Sequence, residues 1–170
     1  MCNFAARRDG KMVGRISAIL NVGHLERYNN KVGFFGFFES IDDQEVANAL
    51  FAAAGKWLKS QGCEIIRGPM NPSMNHTFGT LVEGFDSAPF FMMTYNPPYY
   101  PKLIENAGLG KVQDAYSFWG EISMIPKLRE RFAHTVDLIV DRMNVKVRPL
   151  NTKRFLQDVE MFLDVYNRSM

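Results

Sequence analysis

The sequence predicts an α/β (α+β) fold, a mixed β-sheet flanked by helices. Three observations carry the prediction. An Asp9-Gly10 pair separates two alternating segments, residues 32–39 are apolar on both faces, and an amphipathic stretch runs straight into the apolar residues 63–67. At 170 residues the chain suffices for one ordinary domain with a core that needs no disulfide or metal.

Residues 4–8 and 12–20 are expected to pair as a hairpin, because Asp-Gly suits a two-residue turn with positive φ. Residues 21–31 are polar and read as a loop. Residues 32–39, Val-Gly-Phe-Phe-Gly-Phe-Phe-Glu, read as a central strand whose glycines let another backbone or a ligand come close. Asp42-Asp-Gln-Glu45 is a helix start signal, with Asp42 as the expected cap. Val46, Leu50, Ala53 and Trp57 then recur at helical spacing, which predicts a helix over 43–61 that ends before Gly62. It should bury Leu50, Phe51 and Trp57 against strand 32–39. With 63–67 as the next strand, strand–helix–strand implies parallel pairing.

Residues 68–100 show no periodicity and are bracketed by proline-rich segments. A loop this long inside a domain is usually functional, and we expect it to be so. Pro101 starts a short helix over 102–107, stopped by Gly108. Residues 111–121 alternate like a strand. Residues 126–143 carry an apolar helical stripe of Leu128, Phe132, Val136, Ile139 and Met143. Residues 145–148 read as a strand, and residues 152–167 as a last helix capped by Asn151 or Thr152.

Composition excludes several classes. Net charge is +2, so no strong field points to nucleic acid or an anionic membrane. No apolar run is long enough to span a bilayer, and Arg7, Arg8 and Asp9 stand where a signal peptide needs apolar residues. A cytoplasmic location is expected. Cys2 and Cys63 do not make a disulfide framework, and Cys63 is expected as a buried, inert thiol. His24, His76 and His134 lack ligand spacing, so no metal is expected. Phosphate-loop, dinucleotide and serine-hydrolase motifs do not occur. Phe at 14 and Met at 10 are in excess, which points to a plastic core or an apolar groove.

The order of elements, with Ala5-Ala-Arg-Arg-Asp-Gly-Lys-Met-Val-Gly-Arg-Ile-Ser-Ala and Tyr100-Pro-Lys-Leu-Ile-Glu-Asn-Ala-Gly-Leu109, resembles the GNAT (acyl-CoA N-acyltransferase) superfamily from its second strand onward. Val147-Arg-Pro-Leu-Asn-Thr-Lys-Arg-Phe resembles that family's opening strand and first helix. Arg67-Gly-Pro-Met-Asn-Pro-Ser and Met93-Thr-Tyr-Asn-Pro-Pro-Tyr-Tyr-Pro101 are similar to an uncharacterised bacterial group with two GNAT-like halves. The resemblance implies an offset fragment: a GNAT-like domain over 1–125 without its opening strand and helix, a linker helix over 126–143, and the opening of a second half over 144–170. The apolar end helix should then dock on its own sheet or, as we expect, on a second copy in a homodimer with a swapped C-terminal segment.

The resemblance implies an acyl-CoA donor and a small-molecule acceptor. Glu39, at the end of the central strand, matches a general base of some members. The tyrosine that often protonates the leaving thiolate matches Ile104, which leaves Tyr95, Tyr99 and Tyr100 as candidate acids. Strands splaying after Phe38 and before Asn71 would offer backbone groups to the pantetheine arm, with Phe37, Phe38, Asn71, Asn75 and His76 beside it. The family's pyrophosphate loop matches Asp42, Asp43 and Glu45, carboxylates where phosphates would lie. The other function class open to this sequence is a catalytically silent GNAT-like module with a Phe/Met-rich binding groove.

Overall fold

The computed structural model describes residues 1–144, 146 and 148–169. They form two compact units, Met1–Ala115 and Tyr116–Met170.

In the first unit, β1 (Cys2–Arg8) and β2 (Lys11–Ile19) form the expected antiparallel hairpin. Its turn holds Asp9 at φ +50° and Gly10 at φ +78°, a geometry that Asp and Gly tolerate best. β3 (Val32–Ser40) pairs antiparallel with β2, and β4 (Ile65–Arg67) pairs parallel with β3, Val32 facing Ile65 and Phe34 facing Arg67. The four-stranded mixed sheet therefore has the order β1-β2-β3-β4, with β3 inside it and parallel to β4 as expected, although the strand predicted over 63–67 begins only at Ile65.

The helix between β3 and β4, α2 (Gln44–Ser60), lies within one residue of its predicted bounds. Leu50 and Phe51 are buried, and Trp57 packs half-buried at the core's edge while Leu58 takes the deeper position. Phe35 and Phe38 meet Phe51 at 5.1 and 4.9 Å between ring centroids, which joins sheet to helix through aromatic contacts. Gly62, at φ +84°, ends the helix, and the Cys63 amide bonds back to the Leu58 carbonyl. Burial raises the Cys63 thiol pKa, so it stays protonated.

The helix cap corrects one expectation. Asp43, not Asp42, is the N-cap: its Oδ1 accepts from the amides of Glu45 and Val46 at 2.9 and 3.3 Å. Arg8, from the neighbouring hairpin, holds the other carboxylate oxygen at 2.8 Å and selects this residue of the acidic pair. That hydrogen bond, ahead of the two amides, lowers the Asp43 pKa. Its contribution to stability is present above the unfolded carboxylate range, about pH 4, and is lost as pH falls below it. Asp43→Ala should lower Tm by about 4 °C, and Asp42→Ala by less than about 1 °C. Equal losses in a thermal melt would refute the assignment.

Two further expectations are corrected. Residues 21–31 are not all loop, since α1 (Val22–Tyr28) forms between the side-chain cap Asn21 and the left-handed Asn29 at φ +44°. Seven residues are too few for an apolar period to show, and its interior buries nothing. Residues 111–121 form no strand. Alternation alone makes no ladder without a partner, and Tyr116, Phe118 and Trp119 are exposed.

The long segment after β4 holds a two-stranded ribbon, β5 (Met70–Asn71) with β6 (Thr77–Phe78), and leads to α3 (Tyr100–Asn106). Peptide bonds Gly68–Pro69 and Asn71–Pro72 are cis. Gln44 of α2 donates to the Leu103 carbonyl at 3.0 Å and ties the two helices together.

In the second unit, α4 (Ile125–Met143) ends at Asn144 in the left-handed region. Asn151 caps the 3-10 turn Thr152–Arg154, which leads into α5 (Phe155–Ser169). Asp158 is buried, paired bidentate with Arg148 and accepting from the Asn151 amide at 2.8 Å, and the Arg148 bond holds its carboxyl far below the usual range. The apolar stripes of both helices, Leu128, Phe132 and Ile139 on α4 and Phe155 and Phe162 on α5, are exposed. The strand expected at 145–148 rests on Val145 and Val147, which lie outside the described residues.

Candidate functional site

The β3 strand changes course where the site begins. Arg15 of β2 faces Glu39, whereas Ser17 faces Gly36, so β3 carries an extra residue and bulges at Phe37–Phe38. Phe37 takes φ +49° there. A bulge bends its strand and re-aims the side chains beyond it. The parallel ladder with β4 has already ended at Phe34 and Arg67, and the chain returns through Gly68 so that Met70 and Asn71 lie back against β3. The approach is close enough to require glycine: a Cβ on Gly36 would stand 1.8 Å from the Met70 carbonyl oxygen.

Unpaired backbone groups along this edge are met by side chains. The Phe37 amide donates to Asn71 Oδ1 at 2.6 Å, and the Ser40 amide donates to the Tyr100 hydroxyl oxygen at 3.1 Å. The Tyr99 hydroxyl donates to the Ser40 carbonyl at 3.0 Å. The splay expected after Phe38 thus begins earlier, after Phe34, and the Phe37 and Ser40 amides are already satisfied. Two tyrosine hydroxyls do for Ser40 what a further strand would do.

Between this edge and residues 94–97 lies a cleft of about 470 Å³, within the usual range for a small-molecule site. Glu39, Phe37, Phe38 and Asn71 line it from the sheet side, and Tyr95 and Tyr100 line it from the far side. Tyr99, Asn75 and His76 lie elsewhere. Tyr99 braces β3 as described, while Asn75 and His76 sit in an exposed turn where each bonds to Ser73 Oγ.

Other wall residues were not anticipated. Arg15 reaches across from β2 and holds Glu39 Oε1 at 2.6 Å, while Oε2 has no partner among the described residues. Asn96, only 7% exposed, accepts from the Leu81 amide and donates to the Leu81 carbonyl, and Thr94 bonds the Gly79 carbonyl. These side chains stitch residues 79–81 to 94–96, which stands in for a strand ladder.

The chain is similar to two curated bacterial proteins. It is 36% identical over 167 residues to Protein YghO of Escherichia coli (strain K12), covering 96% of this chain and 41% of that protein. It is 34% identical over 169 residues to Bacterial ceramide synthase of Caulobacter vibrioides (strain NA1000 / CB15N), covering 96% of this chain and 42% of that protein. The chain therefore spans about two fifths of the length of the curated relatives it matches. No family model and no solved structure matches it.

Two features of the cleft bear on chemistry. Tyr100 and Ile104 lie one helical turn apart on the same face of α3, and both line the cleft. Burial is the main influence on Tyr100 and raises its pKa, so the hydroxyl keeps its proton at neutral pH. Its oxygen accepts from the Ser40 amide, which leaves the hydroxyl proton free to be donated. Among the described residues no three His, Cys, Asp or Glu side chains are placed to hold a metal ion. Nor is any helix among them long and apolar enough to cross a membrane.

Proposed function

We propose that this chain carries the acyl-transfer cleft of an N-acyltransferase that uses a thioester donor, with an amine as acceptor. The observation that carries the reading is the joint presence of Glu39 and Tyr100 in one cleft, the tyrosine one turn from Ile104. Glu39 accepts a proton as the amine attacks the thioester carbonyl. Tyr100 gives its proton to the departing thiolate, so that amine and thioester become amide and thiol. The relative named Bacterial ceramide synthase supports this, because a ceramide is an amide of a fatty acyl group with an amino alcohol.

The α2 N-terminus does not fit a pyrophosphate. The Asp43 carboxylate already takes the amides of Glu45 and Val46. On this reading the donor is held by its acyl and pantetheine end in the cleft, and its phosphates lie in solvent. The same acidic cap favours the second reading, a catalytically silent module with a binding groove.

Thermal melts separate the two. Acetyl-CoA and longer acyl-CoAs at 100 times their dissociation constant should stabilise the fold by about 2.7 kcal/mol, or roughly 8 °C in Tm. No shift at millimolar donor would leave the silent module standing.

A further inference from the structure

We infer that the cleft's ligand is an amphiphile whose apolar chain leaves through the mouth and lies along an apolar apron formed by Phe78, Val82, Phe90, Phe91, Met92 and Met93. This rests on the cleft being the ligand site of the acyl-transfer reading, and it goes further by naming the surface and the residues of this chain that read the hydrocarbon. The first observation is a run of large apolar side chains in water: Phe90 is 70% exposed and Phe91 92%, with Met92 and Met93 above 40%. A contiguous exposed run of this kind marks a contact surface rather than ordinary scatter.

The second observation is where the run stands. It closes as a turn, with the Met93 amide on the Phe90 carbonyl at 3.0 Å and Met92 at φ +62°. The next residues, Thr94 and Tyr95, line the cleft. On the facing segment Gly79 and Thr80 line it too, and exposed Phe78 and Val82 flank them. The Thr94–Gly79 bond at 2.9 Å and the paired Asn96–Leu81 bonds fix these segments side by side. Both lips of the mouth therefore pass directly into exposed apolar residues.

The third observation is the polarity inside. Arg15, Glu39, Asn71 and Tyr100 all line the cleft. A polar interior that opens onto an apolar apron matches a polar reacting group attached to a hydrocarbon chain. Glu39 Oε2, which has no partner among the described residues, suits an ammonium head.

The test is a chain-length series on the full chain, using acyl-CoAs and n-alkylamines from two to ten carbons, each below its micelle concentration. Affinity should rise about fourfold per methylene over the length that touches the apron. Phe90→Ser with Phe91→Ser, both at exposed positions, should flatten that slope and leave the two-carbon ligands unchanged. A slope in the alkylamines that the variant abolishes upholds the inference even if no acyl-CoA binds, in which case the acyl-CoA reading alone falls. Acetyl-CoA binding without any slope leaves that reading and overturns the apron. A slope that survives in the variant also overturns it, whether the variant instead loses co-sedimentation with phosphatidylcholine vesicles or loses self-association in light scattering.

Discussion

Gly36→Ala is expected to destabilise the first unit by on the order of 3 kcal/mol, or to prevent its folding. The added methyl would stand 1.8 Å from the Met70 carbonyl oxygen and 2.8 Å from Asn71 Oδ1. The obstacle is backbone rather than the end of a flexible side chain, so relief requires the return segment to move off β3. That movement would break the Phe37–Asn71 bond and open the floor of the cleft. Gly55→Ala serves as the control: nothing lies within 4 Å of its Cβ, and alanine in a helix interior should stabilise by about 1 kcal/mol. Urea midpoints for both variants decide the matter. A Gly36→Ala midpoint within error of the parent would show that β3 and β5 are not held in this close approach.

The contrast between those glycines shows what the sequence could convey. The hairpin turn, the double-faced strand β3, helix α2 and the parallel return to β4 were all legible, because each depends on residues near one another in the chain. Asp9-Gly10, the Phe/Gly run and the spacing of Val46, Leu50 and Trp57 are local signals with local causes. Misreadings arose where a partner decides. Residues 111–121 alternate correctly but find no ladder, and Asp42 lost the cap to Asp43 because Arg8 arrives from another strand. α1 was missed because its caps, Asn21 and Asn29, resemble loop residues when no apolar face separates them.

The cleft divides in the same way. Glu39 and Tyr100 entered through the resemblance, Glu39 as the match of a general base and Tyr100 as one of three tyrosines standing in for the acid matched by Ile104, and both line the cleft. Arg15 could not be foreseen, since it reaches Glu39 only through a register that the β3 bulge sets. Asn96 is a similar case: its importance lies in mimicking a backbone ladder to Leu81, fifteen residues away. The resemblance placed His76 and Asn75 beside the site, yet their turn closes on Ser73 instead.

On the acyl-transfer reading proposed above, Tyr100→Phe is expected to lower kcat by roughly 10²- to 10⁴-fold, the range of a lost general acid. The prediction must be separated from a structural loss, since the same change leaves the Ser40 amide without its acceptor at a cost of about 1–3 kcal/mol. Tyr99→Phe provides the comparison. It removes the neighbouring hydroxyl from the carbonyl of the same residue, but Tyr99 does not line the cleft. Both variants should therefore lose stability, and only Tyr100→Phe should lose turnover in the fraction that remains folded. A pH profile adds a readout that stability does not move. Burial raises the Tyr100 pKa, so its proton is held throughout the neutral range and released only above the ordinary tyrosine value of about 10. The parent's kcat should fall as pH rises through that region, and Tyr100→Phe should lack this descending limb. The raised pKa also means that Tyr100's contribution to folding is complete below about pH 10 and fades as pH rises through its folded value. Activity must accordingly be measured where melts show the fold intact. If Tyr100→Phe and Tyr99→Phe reduced kcat equally, with the alkaline limb unchanged in both, the hydroxyl at position 100 would be a brace for β3 and the acid would have to be sought elsewhere in the cleft.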